Sequence, residues 1–189
     1  AVQGMEGAMA AIVGLPYEDI VAICEAAQED EDEIVSLSNY NSLEHVTISG
    51  HSSAVKRAMV RAKQKGARLV KQLPISVPAH CDLMKPAAPS LQTALNAINI
   101  QLPKIPVISN AHSHPLVNLE AIKQSLVIQL HHPVDWVNNI QYLLNEGVCS
   151  FIECGPGQIL TSLIRRIAPH AKVISIGHYK EFQKALAEF

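Results

Sequence analysis

Histidine is the residue type through which this chain can do acid–base chemistry, because an imidazole titrates near neutral pH. Nine are present, and His80 has the most constrained setting. It stands in Ile75-Ser76-Val77-Pro78-Ala79-His80-Cys81, where Pro74 and Pro78 bracket the approach. Such a loop holds an imidazole at a fixed place at a sheet edge. On these residues alone a structural histidine and a general base both stay open, the structural role being the simpler. His112-x-His114 and the pair His131-His132 have ligand-like spacing, but no third ligand follows in a recognised pattern. They read as loop histidines exposed to water. Gly50-His51-Ser52-Ser53-Ala54 comes close to the G-x-S-x-G turn that presents a nucleophilic serine. That turn needs a second glycine where Ala54 stands, so Ser52 or Ser53 reads as the cap of a helix. Gly155-Pro156-Gly157, between a strand and a helix, would turn backbone N–H groups towards an anion. It lacks the full dinucleotide or P-loop spacing and reads as a tight turn.

The elements that must position these groups follow from periodicity. Ala8 to Val13 is an apolar strand closed by Gly14, and Pro16 suits a first helical turn. Ile20, Ile23, Cys24 and Ala27 then fall on one helical stripe. The acidic run Glu29 to Glu33 makes a solvated turn. Ile34 to Asn41 and Val46 to Ser49 read as strands, and Val55, Ala58, Met59 and Ala62 as a helix stopped by Gly66. Leu69 to Leu73 is a further strand. The order β-α-β-β-α-β is the split βαβ of a ferredoxin-like unit.

From Pro74 the texture changes. One helix is expected from about Asp82 to Ile98, irregular at Pro86 and Pro89, burying Leu83, Met84, Ala87, Leu91, Leu95 and Ile98. Ile105 to Ser109 reads as an apolar strand, with helices near Leu119 to Leu130 and Val134 to Glu146. Phe151 to Glu153 is a strand running into a helix with Ile159, Leu160, Leu163, Ile164 and Ile167 inward. Val173 to Ile176 is the last strand. Alternating strands and helices imply a mostly parallel sheet. The expected fold class is α/β, with a ferredoxin-like small subdomain at residues 7–73. Residues 74–189 are expected to be the C-terminal part of an α/β-hydrolase-like large subdomain.

Composition narrows the classes. With 189 residues, 48% hydrophobic and 17% charged, the chain can bury a sizeable core. A formal net charge of −2 gives no electrostatic reason to expect nucleic acid or a membrane surface as partner. Cys24, Cys81, Cys149 and Cys154 form no C-x-x-C pair and read as reduced thiols of a cytoplasmic protein. A non-catalytic ferredoxin-like binding module for nucleic acid would need basic and aromatic residues on its sheet. The strands Ile34–Asn41 and Val46–Ser49 carry Tyr40 and no lysine or arginine.

Read together, several segments resemble malonyl-CoA:acyl carrier protein transacylases. Gly7-Ala8-Met9-Ala10-Ala11-Ile12-Val13-Gly14-Leu15, Asn39-Tyr40-Asn41-Ser42 and Val46-Thr47-Ile48-Ser49-Gly50-His51 are similar to that family's small subdomain. Leu73 to Ala87, Ile105-Pro106-Val107-Ile108-Ser109-Asn110, Gln129-Leu130-His131-His132-Pro133-Val134-Asp135-Trp136 and Glu153-Cys154-Gly155-Pro156-Gly157 continue its signatures in order.

The resemblance implies malonyl transfer from malonyl-CoA to the phosphopantetheine thiol of acyl carrier protein, through a seryl ester, in fatty-acid synthesis. No cofactor and no metal are expected. His80 matches the family's catalytic histidine. Gln129 matches the residue whose backbone carbonyl orients it, and Asn110 a supporting position. A discrete acyltransferase of a polyketide assembly line is the alternative, although the small Ala79 is closer to the malonyl pattern of discrete enzymes.

The family's serine elbow, its carboxylate-gripping arginine and its glutamine loop all precede the segment aligning with Ala1. The opening Ala1-Val2-Gln3-Gly4-Met5 lacks an initiator methionine and reads as cut. The expectations are that a preceding segment belongs to the native protein and that this chain alone is inactive.

Overall fold

A computed structural model describes residues 6–188; the opening Ala1 to Met5, on which the reading of a cut start rests, lies outside them. The chain divides into two compact units, one reaching Trp136 and one starting at Val137. Its fold class is α/β. Among the described residues no helix is long and apolar enough to cross a membrane.

The first unit opens with β1 (Gly7–Val13), α1 (Tyr17–Ala26), β2 (Val35–Ser42), β3 (His45–His51), α2 (Ser52–Gln64) and β4 (Leu69–Gln72). The sheet order is β4-β1-β3-β2, the split βαβ expected, and a short β5 (Val134–Asp135) joins β2 in parallel. Strand alternation sends Ala8, Ala10 and Ile12 of β1, Val46 and Ile48 of β3, and Val35 and Leu37 of β2 into one core. Ile20, Ile23 and Cys24 of α1 meet them there, with Ala54, Val55, Ala58 and Ala62 of α2. The small residues of α2 let that helix approach the sheet closely.

Residues Met9, Thr47 and Ser49 have the opposite parity and are also buried, so both sheet faces are covered. Gly50 is required by packing: a Cβ there would stand 2.1 Å from the Ile34 carbonyl oxygen.

Beyond β4 the structure departs from the sequence reading in several places. The single helix expected over Asp82–Ile98 is a 3₁₀ turn (Asp82–Ala87) followed by α3 (Ala88–Ala97). Pro86 and Pro89 remove two backbone donors where an unbroken helix would need them. Leu83 and Leu95 are buried as expected, but Ile98 is exposed. The strand expected at Ile105–Ser109 is absent: only Ile108 makes a bridge, to Pro115. Ile105 is 77% exposed, so an apolar run without a strand neighbour stays irregular. The α4 helix (Leu119–Ile128) is capped by Asn118, whose Oδ1 accepts the Ala121 N–H at 2.8 Å.

The second unit holds most of α5 (Trp136–Asn145), then β6 (Ser150–Glu153), α6 (Ile159–Ile167), β7 (Lys172–Ser175) and α7 (Tyr179–Glu188). Strands β6 and β7 pair in parallel. Leu163 and Ile164 face inward, but Ile159 and Leu160 are exposed, against expectation. The inward position of that first turn belongs to Thr161, 1% exposed.

Candidate active site

His80 sits on a turn built by the segment after β4. Its φ is +62°, the left-handed region, which costs an L-residue about 1–2 kcal/mol and persists only where the surroundings impose it. Those surroundings are specific. The Ala79 N–H donates to the Val77 carbonyl at 2.9 Å, the His80 N–H to Leu130 at 3.0 Å, and the Met84 N–H to Cys81 at 2.9 Å. Pro78 is fully buried against β1, where a Cβ on Gly7 would fall 2.4 Å from Pro78 Cδ.

The imidazole lies 2.7 Å, through Nδ1, from the backbone carbonyl of Gln129. A carbonyl only accepts, so Nδ1 carries the proton and Nε2 of the neutral ring carries the lone pair. Gln129 is the C-cap residue of α4, and its own N–H donates to Ser125 at 2.9 Å. Its side chain meets Asn110, whose Nδ2 donates to Gln129 Oε1 at 3.3 Å. The Asn110 carbonyl accepts the Asp135 N–H at 3.0 Å, tying this corner to β5. Beneath it the buried hydroxyls of Ser109 and Ser125 are 2.8 Å apart. The three residues singled out from the sequence therefore lie in one hydrogen-bonded row, His80–Gln129–Asn110.

A groove of about 500 Å³ opens beside the turn, lined among others by Cys24 of α1, Tyr40 of β2, His80 and His131. Burial pushes the Cys24 thiol up to about 12, so it stays protonated and inert. Burial, and the neighbouring His132, hold the His131 imidazole below its ordinary value. The two rings are in edge contact, with Nδ1 atoms 3.1 Å apart.

The other sequence candidates resolve differently. Neither Ser52 nor Ser53 caps α2, because β3 stays extended through His51 and the helix starts a residue early. His51 is the N-cap residue, and its Nδ1 accepts the Ile34 N–H at 2.9 Å. Ser53 instead donates to Glu33 Oε1 at 2.6 Å. Among the described residues no three His, Cys, Asp or Glu side chains cluster as metal ligands.

Gly155 and Gly157 have φ of +140° and +91°, as a tight turn requires. The helix N-terminus behind them already holds an anion, the Glu153 carboxylate. It accepts the Leu160 and Thr161 N–H groups at 3.0 and 2.8 Å. Desolvation pushes that carboxyl up, but the backbone N–H groups at the start of α6 outweigh it and hold it low. Sequence reasoning missed this cap, since seven residues separate acceptor and donor.

Many known proteins are similar to this chain. The acyl transferase domain family matches residues 2–188. The chain is 44% identical over 161 residues to the malonyl CoA-acyl carrier protein transacylase of Escherichia coli K12, covering 85% of this chain and 52% of that protein. The Bacillus subtilis enzyme of the same name is 37% identical over 186 residues, covering 98% and 58%. Among solved structures, the Coxiella burnetii transacylase superposes with a TM-score of 0.91 at 40% identity, over 96% of this chain and 57% of that one. A malonyl-transacylase in complex with its type II PKS acyl-carrier protein gives 0.93 at 36% identity, over 97% and 59%. The chain thus spans little more than half the length of these relatives. On the domain match, the identity to these relatives and the shared fold, the chain belongs to the acyl transferase domain family.

Proposed function

We propose that this chain carries the histidine side of a malonyl-CoA:acyl carrier protein transacylase, with His80 as the general base. The observation that carries the reading is the 2.7 Å contact of His80 Nδ1 with the Gln129 carbonyl, which leaves Nε2 as the proton acceptor. Nε2 takes the proton of a serine hydroxyl as its oxygen bonds the malonyl carbonyl carbon. The tetrahedral intermediate collapses, the carbon–sulfur bond breaks, and coenzyme A leaves as a thiol with the proton from His80. The phosphopantetheine thiol of the carrier protein then reverses the sequence. Gln129 fixes the tautomer with a neutral dipole where other triads use a carboxylate, and Asn110 steadies Gln129.

No serine of this sequence stands in a G-H-S-x-G elbow, and in this reading the nucleophile belongs to a segment outside residues 1–189. In this reading residues 7–73 are the small subdomain and residues 74–189 a share of the catalytic one. The relatives' names support malonyl-CoA and acyl carrier protein as substrate and partner. The relative in complex with a type II PKS carrier favours a polyketide role as second reading.

Transfer of malonyl from malonyl-CoA to holo acyl carrier protein by the native protein is the test. His80→Ala is expected to lower kcat about 10³-fold. Unchanged transfer would overturn the assignment. Comparing fatty-acid and polyketide carriers as acceptors separates the two readings. The 189-residue chain alone is expected to transfer nothing.

A further inference from the structure

The left-handed turn under His80 needs an explanation beyond Gln129, because that carbonyl holds the ring and not the backbone. We propose that Ser49 and Cys81 are positioning residues for His80, joined in a buried hydrogen-bond chain that locks the turn; the catalytic part of this rests on the acyl-transfer reading above.

Ser49 is on β3, wholly buried, on the sheet face opposite the α1 and α2 core. Its hydroxyl donates to Cys81 Sγ at 3.6 Å, and the thiol donates to the Pro78 carbonyl at 3.2 Å. A buried hydroxyl must find such a partner, so the chain is directional from sheet to turn. Cys81 is 2% exposed, and burial pushes its thiol up. It therefore stays protonated, as a donor to Pro78 requires, and is no nucleophile.

The effect on the turn is specific. Pro78 has no N–H, so its carbonyl is the one backbone group through which this residue can be fixed by a hydrogen bond. With Pro78 held by the thiol, Ala79 by Val77 and His80 by Leu130, the peptide groups on the approach to His80 are each tied. The ring then enters the Gln129 contact without a search over backbone conformations. Valine in place of Cys81 would fill similar space with no donor, whereas serine would keep one.

The test compares Cys81→Val, Cys81→Ser and Ser49→Ala in the native protein. Two readouts are followed: malonyl-transfer kinetics and the NMR signal of the His80 Nδ1 proton bonded to Gln129. Cys81→Val and Ser49→Ala are expected to lower kcat about tenfold with KM within about twofold, because small misplacements of a base are expensive in rate. In both, the Nδ1 proton should exchange faster with water. Cys81→Ser should retain kcat within about threefold and keep the signal.

Equal behaviour of the valine and serine variants, with the signal intact in both, would overturn the proposal and leave the thiol as packing. Ser49→Ala guards against a valine variant that fails to fold. If His80→Ala proved fully active, the acyl-transfer reading would fail instead. The Nδ1 signal would then still decide the positioning, by its loss or persistence in Cys81→Val.

Discussion

Gly7→Ala tests how closely the position of His80 depends on a strand in a distant part of the sequence. The added Cβ would lie 2.4 Å from Pro78 Cδ, 2.8 Å from Pro78 Cγ and 2.8 Å from the Ser76 carbonyl oxygen. Ordinary contact begins near 3.4 Å, so strand and loop must part by about 1 Å. β1 is paired with β3 from Gly7 to Val13, and from Ala10 onward also with β4, whereas Pro78 belongs to no strand. The loop should give way. Pro78 is two residues from His80, so a displacement of this size reaches the imidazole. Misplacement by about 1 Å is able to reduce a rate about 10²-fold, and a fall in kcat of ten- to a hundredfold is expected. The melting temperature should drop only modestly, overpacking of this kind costing about 1–3 kcal/mol. Steady-state transfer and a thermal melt of the same preparation check both. A variant that melts much lower yet keeps its kcat would show that the strand moved instead, refuting the coupling between β1 and His80.

Two further outcomes are expected from the electrostatics. Glu153→Ala leaves the Leu160 and Thr161 N–H groups without their acceptor and should destabilise α6 by about 1–2 kcal/mol, the usual loss for a cap. Faster hydrogen exchange at those two amides would report it, and unchanged exchange would remove the cap from the account. Glu33 is held below its ordinary 4.5, first by the Ser53 hydroxyl and, against some desolvation, by the Glu29 N–H and by Arg57, with which it forms an ion pair. A depressed carboxyl contributes stability above its unfolded value and loses it as pH falls through the folded one. Glu33→Gln should therefore melt lower than the parent at pH 7, with the gap closing below about pH 4.5; a gap independent of pH would contradict this.

The parts of the fold legible in the sequence are those whose signal is local. The stripe Ile20, Ile23, Cys24, Ala27 and the alternation in β1 and β3 specify elements that bury one face, and the small unit follows from their order. Ile105–Ser109 has the composition of a buried strand, but a strand is made by its neighbour's hydrogen bonds, which composition does not encode. The missed α7 did have a signal in Phe182, Ala185 and Leu186. The site divides in the same way. Proline punctuation marks His80 as constrained, and the family resemblance supplies Gln129 and Asn110. The Ser49 and Gly7 contacts join positions 32 and 71 residues apart, and no window of the sequence contains both ends.

That the orienting group is a carbonyl has a consequence for mutagenesis. A side-chain carboxylate is lost when its residue is replaced; a backbone carbonyl is not. Gln129→Ala should leave the 2.7 Å contact with His80 in place, since the carbonyl is held by the end of α4 and the Gln129 N–H bond to Ser125. What disappears is the 3.3 Å bond from Asn110 to the side chain, a neutral pair worth about 0.5–1.5 kcal/mol. Even if all of that were felt in the transition state, kcat would fall only about two- to tenfold. His80→Ala, by contrast, would remove the proposed base itself. Measured side by side, the two variants should differ by about two orders of magnitude. A Gln129→Ala loss as large as that of His80→Ala would mean that the amide side chain touches the reacting atoms, and the carbonyl would no longer suffice as the explanation of how His80 is held.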